Sequence, residues 1–175
     1  KKNKNFLSNI DGIIFCTQSP DYLLPSNSSV LQGTFKFREN IFTLDISHAC
    51  SGFLYSLGLA DSLIKNKRCK KILLINSDTY SKMLNPNDRS TKLLFSDAAS
   101  LTVVDSSSNN LIDINFSNSG KHYEKLIYKY KGFNKHSNKA TNKHLKMDGM
   151  GIMSFINSKL PQQINSILKK NKLNL

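Results

Sequence analysis

The residue with the clearest chemical placement is Cys50, in the run Leu44-Asp45-Ile46-Ser47-His48-Ala49-Cys50-Ser51-Gly52-Phe53. An apolar strand pattern ends just before it and a helical pattern begins at it. A thiol at a helix N-terminus faces unpaired backbone N–H groups and the positive end of the helix dipole. Both favour the thiolate, the nucleophilic form of cysteine. Gly52 and the small residues around it leave room for another backbone or a substrate. The turn is similar in kind to the strained strand-to-helix elbow that carries other acyl-transfer nucleophiles. The competing reading is a small core residue, since free cysteines are among the most buried types. That reading suits Cys16, inside an apolar strand, and Cys69, after a charged helix end.

Other reactive residue types form no constellation of comparable specificity. The three cysteines have no paired spacing, and their odd number suits free thiols in a reducing compartment. His48 lies two residues before Cys50, and across a tight turn that spacing directs the two side chains apart, away from the reach a general base needs. His122, His136 and His144 fall in a basic, polar stretch and are expected to be solvated. Asp45, Asp78, Asp88 and Asp97 read as strand-end or turn carboxylates. No metal-ligand cluster is present in the sequence pattern.

The elements that must hold Cys50 alternate in type. Residues 11–16 and 41–46 read as strands, with a loop containing Pro20 and Pro25 and a short helix over 26–35 between them. Cys50 to about Asn66 is a helix. Phe53, Leu57, Ala60 and Ile64 fall at helical spacing, and Leu54, Leu59 and Leu63 widen that apolar face, which predicts burial on most sides. Residues 71–76 are apolar at their centre, as in an interior parallel strand, and complete a right-handed βαβ unit. Residues 93–95 and 101–104 continue the sheet, with 96–100 as a separator and 105–110 as a turn. Residues 111–116 alternate in polarity as a half-exposed strand does, with 126–128 as its partner. Residues 132–146 form a basic loop, and 149–170 an amphipathic helix kinked or broken at Pro161.

The chain has 175 residues, 39% hydrophobic, enough for one domain with a sizeable core. No apolar run is long enough to span a bilayer and no signal-peptide pattern opens the chain, so a cytoplasmic protein is expected. The 25 basic residues against 12 acidic give a formal charge of +13, a field that attracts acidic proteins and phosphate-bearing molecules. No nucleic-acid-binding signature accompanies the charge, so nucleic acid is not an expected partner.

Several segments in order resemble the ketoacyl-acyl-carrier-protein synthase III family of the thiolase superfamily. They are Asp11-Gly12-Ile13-Ile14, Cys16-Thr17-Gln18-Ser19 leading to Leu24-Pro25-Ser26, and Ala49-Cys50-Ser51-Gly52-Phe53, which matches the family's nucleophile motif. Asn76-Ser77-Asp78, Asn85-Pro86-Asn87-Asp88-Arg89, Leu94-Phe95-Ser96-Asp97-Ala98-Ala99 and Met147-Asp148-Gly149 follow. The match is good over residues 10–105 and loose beyond.

The resemblance implies an α/β, thiolase-like fold: a mixed, mostly parallel sheet with a buried helix headed by the nucleophile. Residues 1–175 would form a partial N-terminal half, with a core over about 10–105, a basic loop over about 129–146 and a closing helix over about 149–170. It implies that Cys50 takes an acyl group from an acyl-CoA. A malonyl group on acyl carrier protein then decarboxylates and attacks the acyl-enzyme, a division of one hard step into two. Coenzyme A thioester enters as substrate, and no permanently bound cofactor or metal is implied. Arg89 matches the arginine that packs on the adenine of CoA. Leu24 matches the loop residue that reaches the partner's acyl pocket in a homodimer, where well-known members carry Phe. The family's catalytic His and Asn come from a second half whose motifs do not occur here, and its N-terminal strand and early Gly-rich turn are absent too, so the sequence is expected to be cut at both ends and to be inactive in condensation on its own. Two alternatives stay open: acyl transfer without decarboxylation to another acceptor, and a non-catalytic structural subunit of the same fold.

Overall fold

A computed structural model describes residues 7–107, 111–130 and 143–174. Two compact units emerge, Lys1–Asp78 with Ala98–Ile114 and Thr79–Asp97 with Asn115–Leu175. The first is built on a four-stranded sheet of β1 (Gly12–Cys16), β2 (Phe42–Ile46), β3 (Lys71–Thr79) and β4 (Asp97–Asp105), in the order β2-β1-β3-β4. Strand β1 pairs in parallel with both β2 and β3, with Ile14 opposite Leu44 on one side and Leu74 on the other. Helices α1 (Asn27–Thr34) and α2 (Gly52–Lys65) make the crossovers.

A strand buried on both faces must be apolar at every position, and all five residues of β1 are buried. Alternation then sorts its side chains. Ile13 and Phe15 join Leu73, Ile75 and Leu31 of α1 on one face. Ile14 joins Ile72, Leu74 and Ala60 of α2 on the other. Cys16, two residues beyond Ile14, therefore points to the α2 side. Asp11 fixes the start of this arrangement, since its carboxylate accepts the backbone N–H groups of Lys70 and Lys71. Leu74 is 0% exposed, and Leu74→Ala is expected to lower unfolding free energy by about 2–5 kcal/mol, measured as a reduced urea midpoint at unchanged slope.

Helix α2 departs from the expectation of burial on most sides. Only Gly52, Ser56 and Ala60 are buried, one stripe at four-residue spacing, while Phe53 and Leu54 are exposed. Small residues on that stripe let the helix lie close on β1, and its larger apolar residues flank the contact.

In the second unit, residues 93–95 are not a strand. Asp88 caps a short helix α3 (Arg89–Lys92), accepting the Ser90 N–H at 2.9 Å and the Thr91 hydroxyl at 2.9 Å. These local hydrogen bonds override the apolar run, leaving Leu93 and Leu94 exposed in the turn that follows. The segment expected to separate two strands is instead the first half of β4. Residues 111–116 form no strand. The partner of β5 (Leu126–Ile127) is β6 (Lys146–Met147), antiparallel, at the end of the expected basic loop. Residues 131–142 of that loop, with His136, lie outside the described residues. Helix α4 (Gly149–Lys170) runs through Pro161 without a break. Pro161 and Asn157 are both solvent-exposed, so water can satisfy the carbonyl that the ring deprives of its partner. Asp148 caps α4, and the Gly151 N–H it accepts holds its carboxyl below the usual range.

Candidate functional site

Strand β2 ends at Ile46, and the chain turns through Ser47 and His48 into a tight helical turn, Ala49–Ser51, that runs into α2. Ala49 has φ +44°, the left-handed region that costs a non-glycine residue about 1 kcal/mol or more. Cys50 follows it and is exposed, whereas Cys16 and Cys69 are buried. A strained residue thus precedes an accessible thiol at the head of a helix. The strand-to-helix turn expected from the sequence is present, and Cys50 lies exposed on it.

What holds the turn in place comes from β1. A side chain at Gly52 would collide with the Cys16 sulfur, so glycine here serves close approach and not an unusual backbone angle. The Cys16 sulfur also receives the His48 backbone N–H, while burial, the larger influence, pushes the Cys16 thiol up. Cys16 is accordingly a protonated packing residue beneath the turn. The Thr17 N–H donates to the Ile46 carbonyl at 3.0 Å, and the Gln18 side-chain amide donates to the Ser47 hydroxyl at 2.8 Å. Cys16, Thr17 and Gln18, at the end of β1, thereby grip Ile46, Ser47 and His48, which lead into the turn.

Those gripping residues are themselves held by Asp78 of β3. One carboxylate oxygen accepts the Gln18 N–H at 2.6 Å, the Thr17 hydroxyl at 3.1 Å and the Ser19 hydroxyl at 3.2 Å. Asp45 performs a related service for α1, accepting the N–H groups of Asn27 and Ser28 at 2.6 and 2.8 Å. That anchors the end of the loop carrying Leu24, which is 87% exposed beside exposed Tyr22 and Leu23.

Arg89 belongs to the second unit, where it is the first residue of α3 and is exposed. Beside that helix Leu84, Pro86, Lys92 and Phe95 line an open cleft of about 520 Å³. Phe95 stacks on Tyr80 at 5.0 Å, and Asp97 at the cleft wall accepts the Ser81 hydroxyl and N–H, which holds its carboxyl low. The His48 ring lies against Tyr55 at 3.8 Å. His122 and His144 are half-buried, contrary to the expectation of solvation; His122 binds the Ser119 hydroxyl and packs on Phe155, because the segment folds onto α4. Among the described residues no three His, Cys, Asp or Glu side chains are grouped to hold a metal, and no helix is long and apolar enough to cross a membrane.

The sequence singles out Cys50 but not the contacts that hold its turn. Cys16 was legible as a core residue, and its role under Gly52 follows from the alternation Ile14, Cys16 once the strand register is known. Gln18 and Asp78 were visible only as parts of motifs, and Asp78 also as a strand-end carboxylate; their meeting, and that of Gln18 with Ser47, depends on the parallel pairing.

The sequence model for 3-oxoacyl-[acyl-carrier-protein] synthase III matches residues 44–120. The chain is 34% identical to beta-ketoacyl-[acyl-carrier-protein] synthase III of Rickettsia rickettsii, over 97% of this chain and 52% of that protein. It is 31% identical to the Clostridium tetani protein of the same name, over 95% and 53%. Among solved structures, a 3-oxoacyl-(acyl-carrier-protein) synthase III superposes with TM-score 0.87 at 32% identity, covering 95% of this chain and 54% of that one. The Burkholderia xenovorans 3-oxoacyl-(acyl-carrier protein) synthase gives 0.81 at 31%, covering 95% and 50%. The resemblance read from the motifs thus extends along nearly the whole chain, which spans about half the length of the relatives it matches.

Proposed function

We propose that this chain, which carries the thiolase-like fold of the 3-oxoacyl-[acyl-carrier-protein] synthases III over about half their length, is the nucleophile-bearing part of a decarboxylating condensing acyltransferase. The observation that carries the proposal is the exposed Cys50, set behind a strained Ala49 at the head of α2 in the segment where the family match lies. The Cys50 sulfur attacks the carbonyl of an acyl-CoA, and the CoA thiol leaves with a proton. The backbone N–H of Cys50 is suited to the oxyanion that forms, because N–H groups at a helix start lack internal partners. A malonyl thioester on acyl carrier protein then loses carbon dioxide, and its carbanion attacks the acyl-enzyme and frees the Cys50 thiolate. The His and Asn that stabilise the carbanion belong to the half of the family that this chain does not span.

Arg89, exposed beside a cleft that also holds Lys92, is assigned to the adenine end of CoA, where a planar cation stacks well. Leu24 is assigned to the acyl pocket of a homodimeric partner, which its exposure permits. The charge of +13 favours both the phosphates of CoA and an acidic carrier protein, and a cytoplasmic setting provides both.

Incubation of the full-length protein with acyl-CoA of several chain lengths is expected to add the acyl mass to the Cys50 peptide. Iodoacetamide labelling of Cys50 with no adduct from any acyl-CoA would sink the enzyme reading in favour of a structural subunit. With an adduct in hand, malonyl-carrier protein supplied to the full-length protein is expected to release carbon dioxide and a ketoacyl product two carbons longer. Product without carbon dioxide release would mean transfer to another acceptor.

A further inference from the structure

We infer that Asp78 is a positioning residue for the Cys50 turn, acting through Gln18 and Ser47; this rests on the reading of Cys50 as the nucleophile. Asp78 touches neither Cys50 nor any residue of its helix in the contacts described above. Its influence travels by two steps. One carboxylate oxygen gathers the Thr17 hydroxyl, the Gln18 N–H and the Ser19 hydroxyl, at 3.1, 2.6 and 3.2 Å. The Thr17 hydroxyl in turn accepts the Ser19 N–H at 3.0 Å. Gln18, its backbone fixed in this way, sends its side-chain amide to Ser47 at 2.8 Å, three residues before the nucleophile.

The arrangement has the character of a brace and not of a surface hydrogen-bond cluster. Thr17 is 5% exposed, so its hydroxyl needs a partner, and Asp78 is one from a different strand, 61 residues along the chain. One oxygen that accepts three donors ties Thr17, Gln18 and Ser19 to a single point. The need for a brace arises at Ala49, whose left-handed backbone persists only if the surrounding structure over-determines it. The β2 end supplies the turn, and the grip of Thr17 on Ile46 and Gln18 on Ser47 fixes where it starts. A nucleophile displaced by about an ångström can lose about a hundredfold in rate.

The test compares Asp78→Ala, Asp78→Asn and Gln18→Ala with the unaltered full-length protein. Two quantities are read: amide hydrogen exchange over residues 46–51, and the rate of Cys50 acylation by acetyl-CoA. Asp78→Ala and Gln18→Ala are each expected to speed exchange over 46–51 about tenfold while β1 and β3 amides stay within about twofold. Maximal acylation should fall about tenfold or more, with the half-saturating acetyl-CoA concentration little changed. Asp78→Asn keeps the accepting oxygen and should hold both quantities within about threefold of the unaltered chain. Combining Asp78→Ala with Gln18→Ala should add little to either alone, since both cut one path. Unchanged exchange over 46–51 in Asp78→Ala, or acceleration spread equally over β1 and β3, would overturn the inference. If the exchange pattern holds but the full-length protein takes no acyl group, the positioning role stands and the acyl-transfer reading falls.

Discussion

Gly52→Ala is expected to cost about 3 kcal/mol of stability and to displace the Cys50 turn, and Cys16→Ala is expected to restore most of both. The added methyl would overlap the Cys16 sulfur, and neither side can yield cheaply. Gly52 opens the buried stripe by which α2 lies on β1, and Cys16 ends a strand paired on both sides. Overpacking of a closed interface costs about 1–3 kcal/mol and at times more, and this contact sits at the upper end because the helix itself must lift. Removal of the sulfur changes the balance. The next atom, the Cys16 Cβ, is 3.5 Å from the added methyl and the His48 Cβ is 3.8 Å away, both ordinary contacts. Cys16→Ala alone should cost about 1 kcal/mol through a small cavity. The double variant should therefore be more stable than Gly52→Ala by about 2 kcal/mol. Urea unfolding of the four proteins measures the cycle. Equal stability of Gly52→Ala and the double variant would show that the collision with sulfur is not what glycine avoids.

The pair explains which parts of the site could be read in advance. Continuous apolar runs made β1, β2 and β3 visible, and α2 between β2 and β3 followed from its helical spacing, whereas residues 111–116, read from alternation, form no strand. Cys50 was visible because a small-residue run between a strand pattern and a helix pattern is rare. Residues 93–95 failed because the Asp88 cap was hidden in an Asn-Pro-Asn-Asp stretch that reads as a plain turn, while the apolar Leu93-Leu94-Phe95 mimics a strand. The burial of α2 was overstated for a related reason. Apolar content says which residues favour burial, not whether a partner covers them, and the contact with β1 needed only Gly52, Ser56 and Ala60. The contacts of Asp78 and Gln18 stayed invisible because their bonds span 60 and 29 residues. Such contacts exist only after the parallel registers of β1 with β3 and with β2 are set.

On the proposed reading, Cys50→Ala in the full-length protein is expected to abolish the acyl adduct and lower condensation by at least about a thousandfold, the order seen when a covalent nucleophile is removed, while stability changes by no more than about 0.5 kcal/mol. The small stability effect follows from exposure, since Cys50 fills no cavity. The large activity effect follows from the lack of a substitute thiol. Cys16 and Cys69 are each 4% exposed, and burial raises both thiols above the usual cysteine range. A raised pKa keeps them protonated at neutral pH, so neither supplies thiolate for attack. Native iodoacetamide labelling should accordingly fall from one equivalent to near zero in Cys50→Ala, while unfolded protein still shows the two remaining thiols. Cys50→Ser gives a sharper discrimination. A serine needs an adjacent base, and the His48 ring is engaged with Tyr55; the hydroxyl variant should be as inert toward acyl-CoA as the alanine one. Full acyl transfer by either variant would move the chemistry away from Cys50, whereas loss of transfer with an intact fold would place it on the single exposed sulfur among the three cysteines.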